Sequence, residues 1–89
     1  MVQGSLAIVN KLGLHARAAS KFVACTNQFA CSIRVRKEQE WVDGKSIMAV
    51  MMLAAGKGST LAVELEGSDA EEALAALEAL VQDRFGEGE

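Results

Sequence analysis

The chain has 89 residues, 51% of them hydrophobic, and a formal charge of −3 at pH 7, the size of one small domain with apolar material for a single core. Acidity without a basic face argues against nucleic acid, because binding it would forgo counterion release. No apolar run nears the roughly twenty residues of a membrane span and Met1 leads into strand-like sequence rather than a signal peptide, so a cytoplasmic protein with no membrane insertion is expected.

Val2-Gln3-Gly4-Ser5-Leu6-Ala7-Ile8-Val9 puts Val2, Leu6 and Ile8 on one face at period two, the pattern of a half-buried strand. Asn10 to Leu14 ends it and leads into His15, the only histidine of the chain. A helix is expected from Ala16 to about Phe29, where Ala19, Phe22, Val23 and Phe29 recur at helical spacing. His15 therefore stands at a helix start, beside N–H groups that no intrahelical carbonyl accepts and beside the positive end of the macrodipole. Arg17 adds a planar cation suited to phosphoryl oxygens, and Gly13 lets the backbone turn tightly before the imidazole. Those residue types in that order point to a histidine that carries a phosphoryl group. Cys25 and Cys31 are the only thiols and no second histidine completes a metal set, so neither zinc nor another cofactor is expected; two reduced, buried small side chains are.

Ser32-Ile33-Arg34-Val35-Arg36 alternates, and Lys37 to Glu40 makes a hairpin turn into Trp41-Val42 before Asp43-Gly44. Arg34 and Arg36 read as the solvated face of a sheet rather than as a basic patch. A short helix of two to three turns is expected between an N-cap at Ser46 and a stop at Gly56. It has no polar face. With Val50 and Leu53 turned inward, Ile47, Met48, Met51 and Met52 fall at or near the surface, where flexible, polarisable methionines suit a partner-docking face; ordinary core filling is the competing reading.

Ser59 to Glu66 alternates again, with Leu61, Val63 and Leu65 inward. Ser68-Asp69-Ala70-Glu71 has the pattern of a capping box opening a long helix with the stripe Ala73, Leu74, Leu77, Leu80, Val81 and Phe85. The tail from Gly86 to Glu89 is expected to fray. The whole reads as one α+β domain over residues 1–89, ordered βαββαβα, with a four-stranded antiparallel sheet covered on one face by three helices.

Gly13-Leu14-His15-Ala16-Arg17-Ala18-Ala19 and Lys45-Ser46-Ile47-Met48-Ala49-Val50-Met51-Met52-Leu53 together resemble HPr, the histidine-containing phosphocarrier proteins of the bacterial sugar phosphotransferase system. The resemblance covers nearly the whole chain. It implies an open-faced β-sandwich with strand order 1-4-2-3, and a carrier, not itself an enzyme, that enzyme I phosphorylates and that passes the group to the IIA domains of sugar permeases. By the same resemblance His15 is the phosphorylated residue through Nδ1 and Arg17 steadies the phosphoryl group. Ser46 matches the serine modified by a dedicated kinase, the HPr kinase/phosphorylase. Ala16, Ser20, Ile47, Met48, Met51 and Met52 fall where partners dock, and the carrier is expected to be a monomer. Departures are Ala18 for the usual proline, Leu12 for a small polar residue, and Ala24 and Asn27 where enteric members carry lysines. The stretch Arg84-Phe85-Gly86-Glu87-Gly88-Glu89 is similar to proteobacterial members and to the nitrogen-related paralogue.

Near neutrality an imidazole of ordinary pKa, about 6.5, offers phosphorus a lone pair without first losing a proton. Phosphoryl transfer depends mainly on positioning and on neutralising charge over three oxygens, which the Ala16 and Arg17 amides and the Arg17 guanidinium supply. Two other classes stay open: a regulatory paralogue in carbon or nitrogen control, which keeps His15 but answers a different enzyme I, and a small-ligand regulatory domain, which needs a closed pocket and no covalent change.

Overall fold

The computed structural model describes residues 1–88. Its elements are β1 (Val2–Ala7), α1 (Ala16–Thr26), β2 (Ser32–Arg36), β3 (Trp41–Asp43), α2 (Ile47–Met52), β4 (Thr60–Glu66), α3 (Ala70–Gln82) and a closing 3-10 turn (Arg84–Gly86). The strands form one antiparallel sheet in the order β1-β4-β2-β3. The register places inward residues side by side, Leu6 beside Leu61, Val35 beside Val63 and Ile33 beside Leu65, so one face is continuously apolar and all six are buried. The three helices close over that face with Ala18, Ala19 and Phe22, with Val50, and with Ala73, Leu77 and Val81. Gly4 lets α3 come close to β1, since a Cβ there would lie 2.8 Å from a methyl of Leu74.

The other face of the sheet is open and polar. Arg34 pairs with Glu64 directly across the β2/β4 ladder, and the guanidinium carbons of Arg34 and Arg36 lie 5.4 and 4.8 Å from the centre of the Trp41 ring. The alternating arginines thus belong to the solvated face, with cation–π contact tying β2 to β3.

Four local expectations are corrected. Helix α1 stops at Thr26 rather than near Phe29, because the Thr26 hydroxyl donates to Gly44 O (2.8 Å) and Asn27 Nδ2 donates to Val23 O (2.9 Å) and Lys45 O (3.2 Å), tying the helix end to the loop before α2. Helix α2 stops at Met52, and the left-handed residue behind it is Ala54 (φ +51°) rather than a glycine at 56. The capping box at Ser68–Glu71 does not form. Asp69 is the N-cap of α3, yet its carboxylate turns away to accept Ala30 N (2.8 Å) and Cys31 N (2.9 Å), holding the loop before β2 instead of its own helix. Finally, residues 86–88 do not trail from α3: the 3-10 turn reverses the chain, buries Phe85 and brings Glu87 back against α1. Glu89 lies outside the described residues. Cys25 and Cys31 are free thiols, Cys31 buried and Cys25 half-buried.

Candidate functional site

The loop between β1 and α1 is shaped by Gly13. Its φ is +67°, and a Cβ on it would lie 2.4 Å from Ala55 O and 2.7 Å from Gly56 Cα, so only glycine lets this turn press against the exit of α2. Leu14 N donates to Ala55 O at 2.8 Å and seals the contact. His15 follows as the N-cap of α1, with extended backbone (φ −77°, ψ 179°) and no capping bond from its side chain. The ring is therefore not spent on its own helix. Behind it, the N–H groups of Ala16 and Arg17 open α1, where no preceding turn supplies carbonyls.

The imidazole is partly exposed, 30% at the side chain. Its Nε2 is hydrogen-bonded to the Glu87 carboxylate. The other Glu87 oxygen accepts Nδ2 of Asn10 at 2.9 Å, and that same amide nitrogen donates to Gly13 O at 2.8 Å. Asn10 is fully buried and its Oδ1 has no hydrogen-bond partner among the described residues. Glu87 is held below the ordinary carboxylate range, first by the Asn10 hydrogen bond and then by His15 and the charge of Lys21, against the opposing effect of desolvation. Among the described residues nothing hydrogen-bonds His15 Nδ1, and Arg17 is exposed with no ion-pair partner. Lys11, Leu12, His15, Ala16, Arg17, Gly86 and Glu87 line an open hollow of about 640 Å³. An imidazole nitrogen, a guanidinium, an ammonium and helix-opening amides around an open bowl are an arrangement that can receive a tetrahedral anion.

Beside the bowl lies α2. Ser46 caps it by accepting Ala49 N at 3.3 Å. Val50 is buried, and the remaining apolar side chains face outward: Ile47 is 38% exposed, Met48 72%, Met51 41% and Met52 81%. Leu12, from the His15 loop, adds another exposed apolar side chain at 66%. Ala16 and Ser20 are exposed on α1, which packs against α2.

The family model described as "PTS HPr component phosphorylation site" matches residues 2–83. The chain belongs to the HPr family of phosphocarrier proteins. It is 58% identical over 85 residues to the phosphocarrier protein HPr of Pseudomonas aeruginosa, covering 94% of each chain. An HPr of Thermoanaerobacter tengcongensis, solved as a crystal structure, superposes with a TM-score of 0.94 at 41% identity and covers 98% of both chains. An HPr dimer from the same organism superposes at 0.78, again at 41% identity, covering 98% of this chain and all of that one. The strand order 1-4-2-3 expected from the resemblance to HPr is the observed one.

Two residues at this site escape a reading of the HPr motif. Asn10 looks like a strand terminator and Glu87 like part of a charged tail. Only the turn at Arg84–Gly86 brings Glu87 to this site, 77 positions along the chain from Asn10 and 72 from His15. A buried anchor so near the end, Phe85, is the one sequence signal that a returning tail offers.

Proposed function

We propose that this chain is a cytoplasmic carrier that takes a phosphoryl group from phosphorylated enzyme I onto His15 Nδ1 and hands it to IIA domains of sugar permeases. The observation that carries the reading is the pairing of an engaged Nε2 with an Nδ1 that nothing among the described residues engages, beside exposed Arg17 and the opening amides of α1. In the step, the Nδ1 lone pair forms the bond to phosphorus while the donor's bond to phosphorus breaks, its electron pair leaving with the donor. Arg17 and the Ala16 and Arg17 amides meet the equatorial oxygens. Partners approach over Ala16, Ser20, Ile47, Met48, Met51 and Met52, a surface that excludes water from the transfer.

Ser46 serves as the regulatory site in this reading. Phosphorylation by an HPr kinase/phosphorylase would place a dianion where the hydroxyl now caps α2, a position that favours negative charge and so does not unfold the helix. It also sets that charge beside an apolar docking face, which weakens partner binding. Incubation with phosphoenolpyruvate and either the sugar or the nitrogen-related enzyme I tests the whole: one acid-labile phosphoryl group appears on the wild type and none on His15→Ala. Labelling that survives the substitution refutes the assignment, and labelling by only the nitrogen-related enzyme redirects it to that branch. For Ser46, mass spectrometry after kinase and ATP gives an acid-stable gain at this residue, and no gain removes the regulatory reading.

A further inference from the structure

We propose that Glu87 is a positioning residue of the carrier: its carboxylate holds the Nε2–H of His15, leaving Nδ1 as the free nucleophile and balancing the charge that the ring gains on bonding phosphorus. The inference rests on His15 being the phosphoryl acceptor. It is carried by how much of the fold is arranged to bring one carboxylate to one ring nitrogen. Helix α3 ends at Gln82, and the chain then passes through Arg84 and Phe85 at φ +54° each, a left-handed conformation that L side chains disfavour, before Gly86 at +75°. Strain of that kind persists only where the surroundings over-determine it.

They do so here. The Phe85 ring is fully buried, and Lys21 Nζ donates to the Phe85 carbonyl at 2.6 Å, fixing the turn from the side of α1. Asn10 completes the arrangement from the opposite side. Its Nδ2 spends both protons on Gly13 O and Glu87 Oε1, at 2.8 and 2.9 Å. The amide faces this way because both acceptors belong to the His15 site, one in the loop that shapes it and one on the ring's own partner.

A carboxylate beside a phosphoryl site would ordinarily repel the incoming anion. Here its charge is shared among Asn10, the ring and nearby Lys21, and it sits at Nε2 rather than Nδ1. As Nδ1 bonds phosphorus, its lone pair becomes the N–P bond, the donor's leaving group departs with the old bonding pair, and the ring becomes cationic with its proton still on Nε2. The Glu87 carboxylate already faces that proton, so no reorganisation accompanies the charge. When the group passes on, the electron pair returns to Nδ1 and the starting state is restored.

The test uses the full chain, labelled with ¹⁵N, as wild type, Glu87→Ala and Glu87→Gln, each checked for an unchanged melt. Imidazole NMR on unphosphorylated protein at about pH 8.5, roughly two units above the ordinary imidazole value, reads the ring directly. Wild type is expected to show a slowly exchanging Nε2–H and an unprotonated Nδ1. Glu87→Ala loses the slow exchange, whereas Glu87→Gln, whose side-chain oxygen still accepts, keeps it. In transfer from phosphoenolpyruvate through enzyme I, kcat falls about tenfold in Glu87→Ala with KM for the carrier unchanged, and Glu87→Gln recovers part of it. An equally fast Nε2–H exchange in wild type and Glu87→Ala, or an unchanged kcat, overturns the proposal. A wild type with a protected Nε2–H that takes up no phosphoryl group overturns instead the acceptor reading beneath it, and with it the charge-balancing half of the inference.

Discussion

Replacing Gly13 with alanine tests how the site is held, because the structure separates the two costs involved. The first is conformational: at φ +67° an L side chain costs about 1–2 kcal/mol. The second is steric: the new Cβ would meet Ala55 O at 2.4 Å and Gly56 Cα at 2.7 Å, both backbone atoms that cannot swing aside, and overpacking of this kind costs about 1–3 kcal/mol. Together they amount to about 2–5 kcal/mol, a large share of the roughly 4–13 kcal/mol expected for a chain of this length. Two neighbouring glycines supply the controls. Gly58, at φ +92° with nothing within 4 Å of a Cβ, carries the conformational cost without the clash; Gly56, with no positive φ and open space around it, carries neither. Urea unfolding should rank Gly13→Ala as the most destabilised, Gly58→Ala next at a cost of about 1–2 kcal/mol, and Gly56→Ala neutral or more stable by about 0.4–1 kcal/mol through its unfolded state. Phosphoryl uptake should fall in Gly13→Ala alone, since the Leu14–Ala55 bond that seats the His15 loop must open. A Gly13→Ala protein no less stable than Gly58→Ala would refute the claim that the loop is pressed against the exit of α2.

Two further outcomes follow from the exposed apolar face of α2 and from the loop before β2. Met48 and Met52 are 72% and 81% exposed, so Met48→Glu with Met52→Glu should change stability by no more than about 0.5 kcal/mol yet raise KM with enzyme I by about tenfold or more; an unchanged KM would show that transfer does not use this face. Asp69 is held below the ordinary carboxylate range, first by the Ala30 N–H and also by Cys31, against desolvation. A depressed folded pKa contributes stability that is fully present above the unfolded value of about 3.9 and is lost as pH falls through the folded one. Asp69→Asn should therefore be less stable than wild type near neutrality, with the gap closing in acid; urea midpoints that keep a constant gap down to about pH 2 would contradict the linkage.

Much of this molecule follows from local pattern. Strict alternation in Ile33–Arg36 and Leu61–Glu66 determines strands and their inner faces whatever the partners are, and the apolar surplus of Ile47–Met52 favours an α2 partly uncovered in so small a domain, leaving core filling to be excluded by the structure. His15, Arg17, Gly13 and Ser46 are in place for the same reason: a cap, a turn and a helix start are short-range events. Tertiary structure decided what short-range rules leave open. Asp69 abandoned its own helix because two N–H groups of a distant loop offered its carboxylate better bonds. Ala54, rather than glycine, took the left-handed position after α2, an end pinned by Leu14 N on Ala55 O and by Lys37 Nζ on Ala54 O. Glu87 reached His15 only because burial of Phe85 and the ammonium of Lys21 hold a disfavoured turn. In each case a long-range contact outweighed a local preference of about 1–2 kcal/mol, and a preference that small is visible in the residues while the contact that defeats it is not.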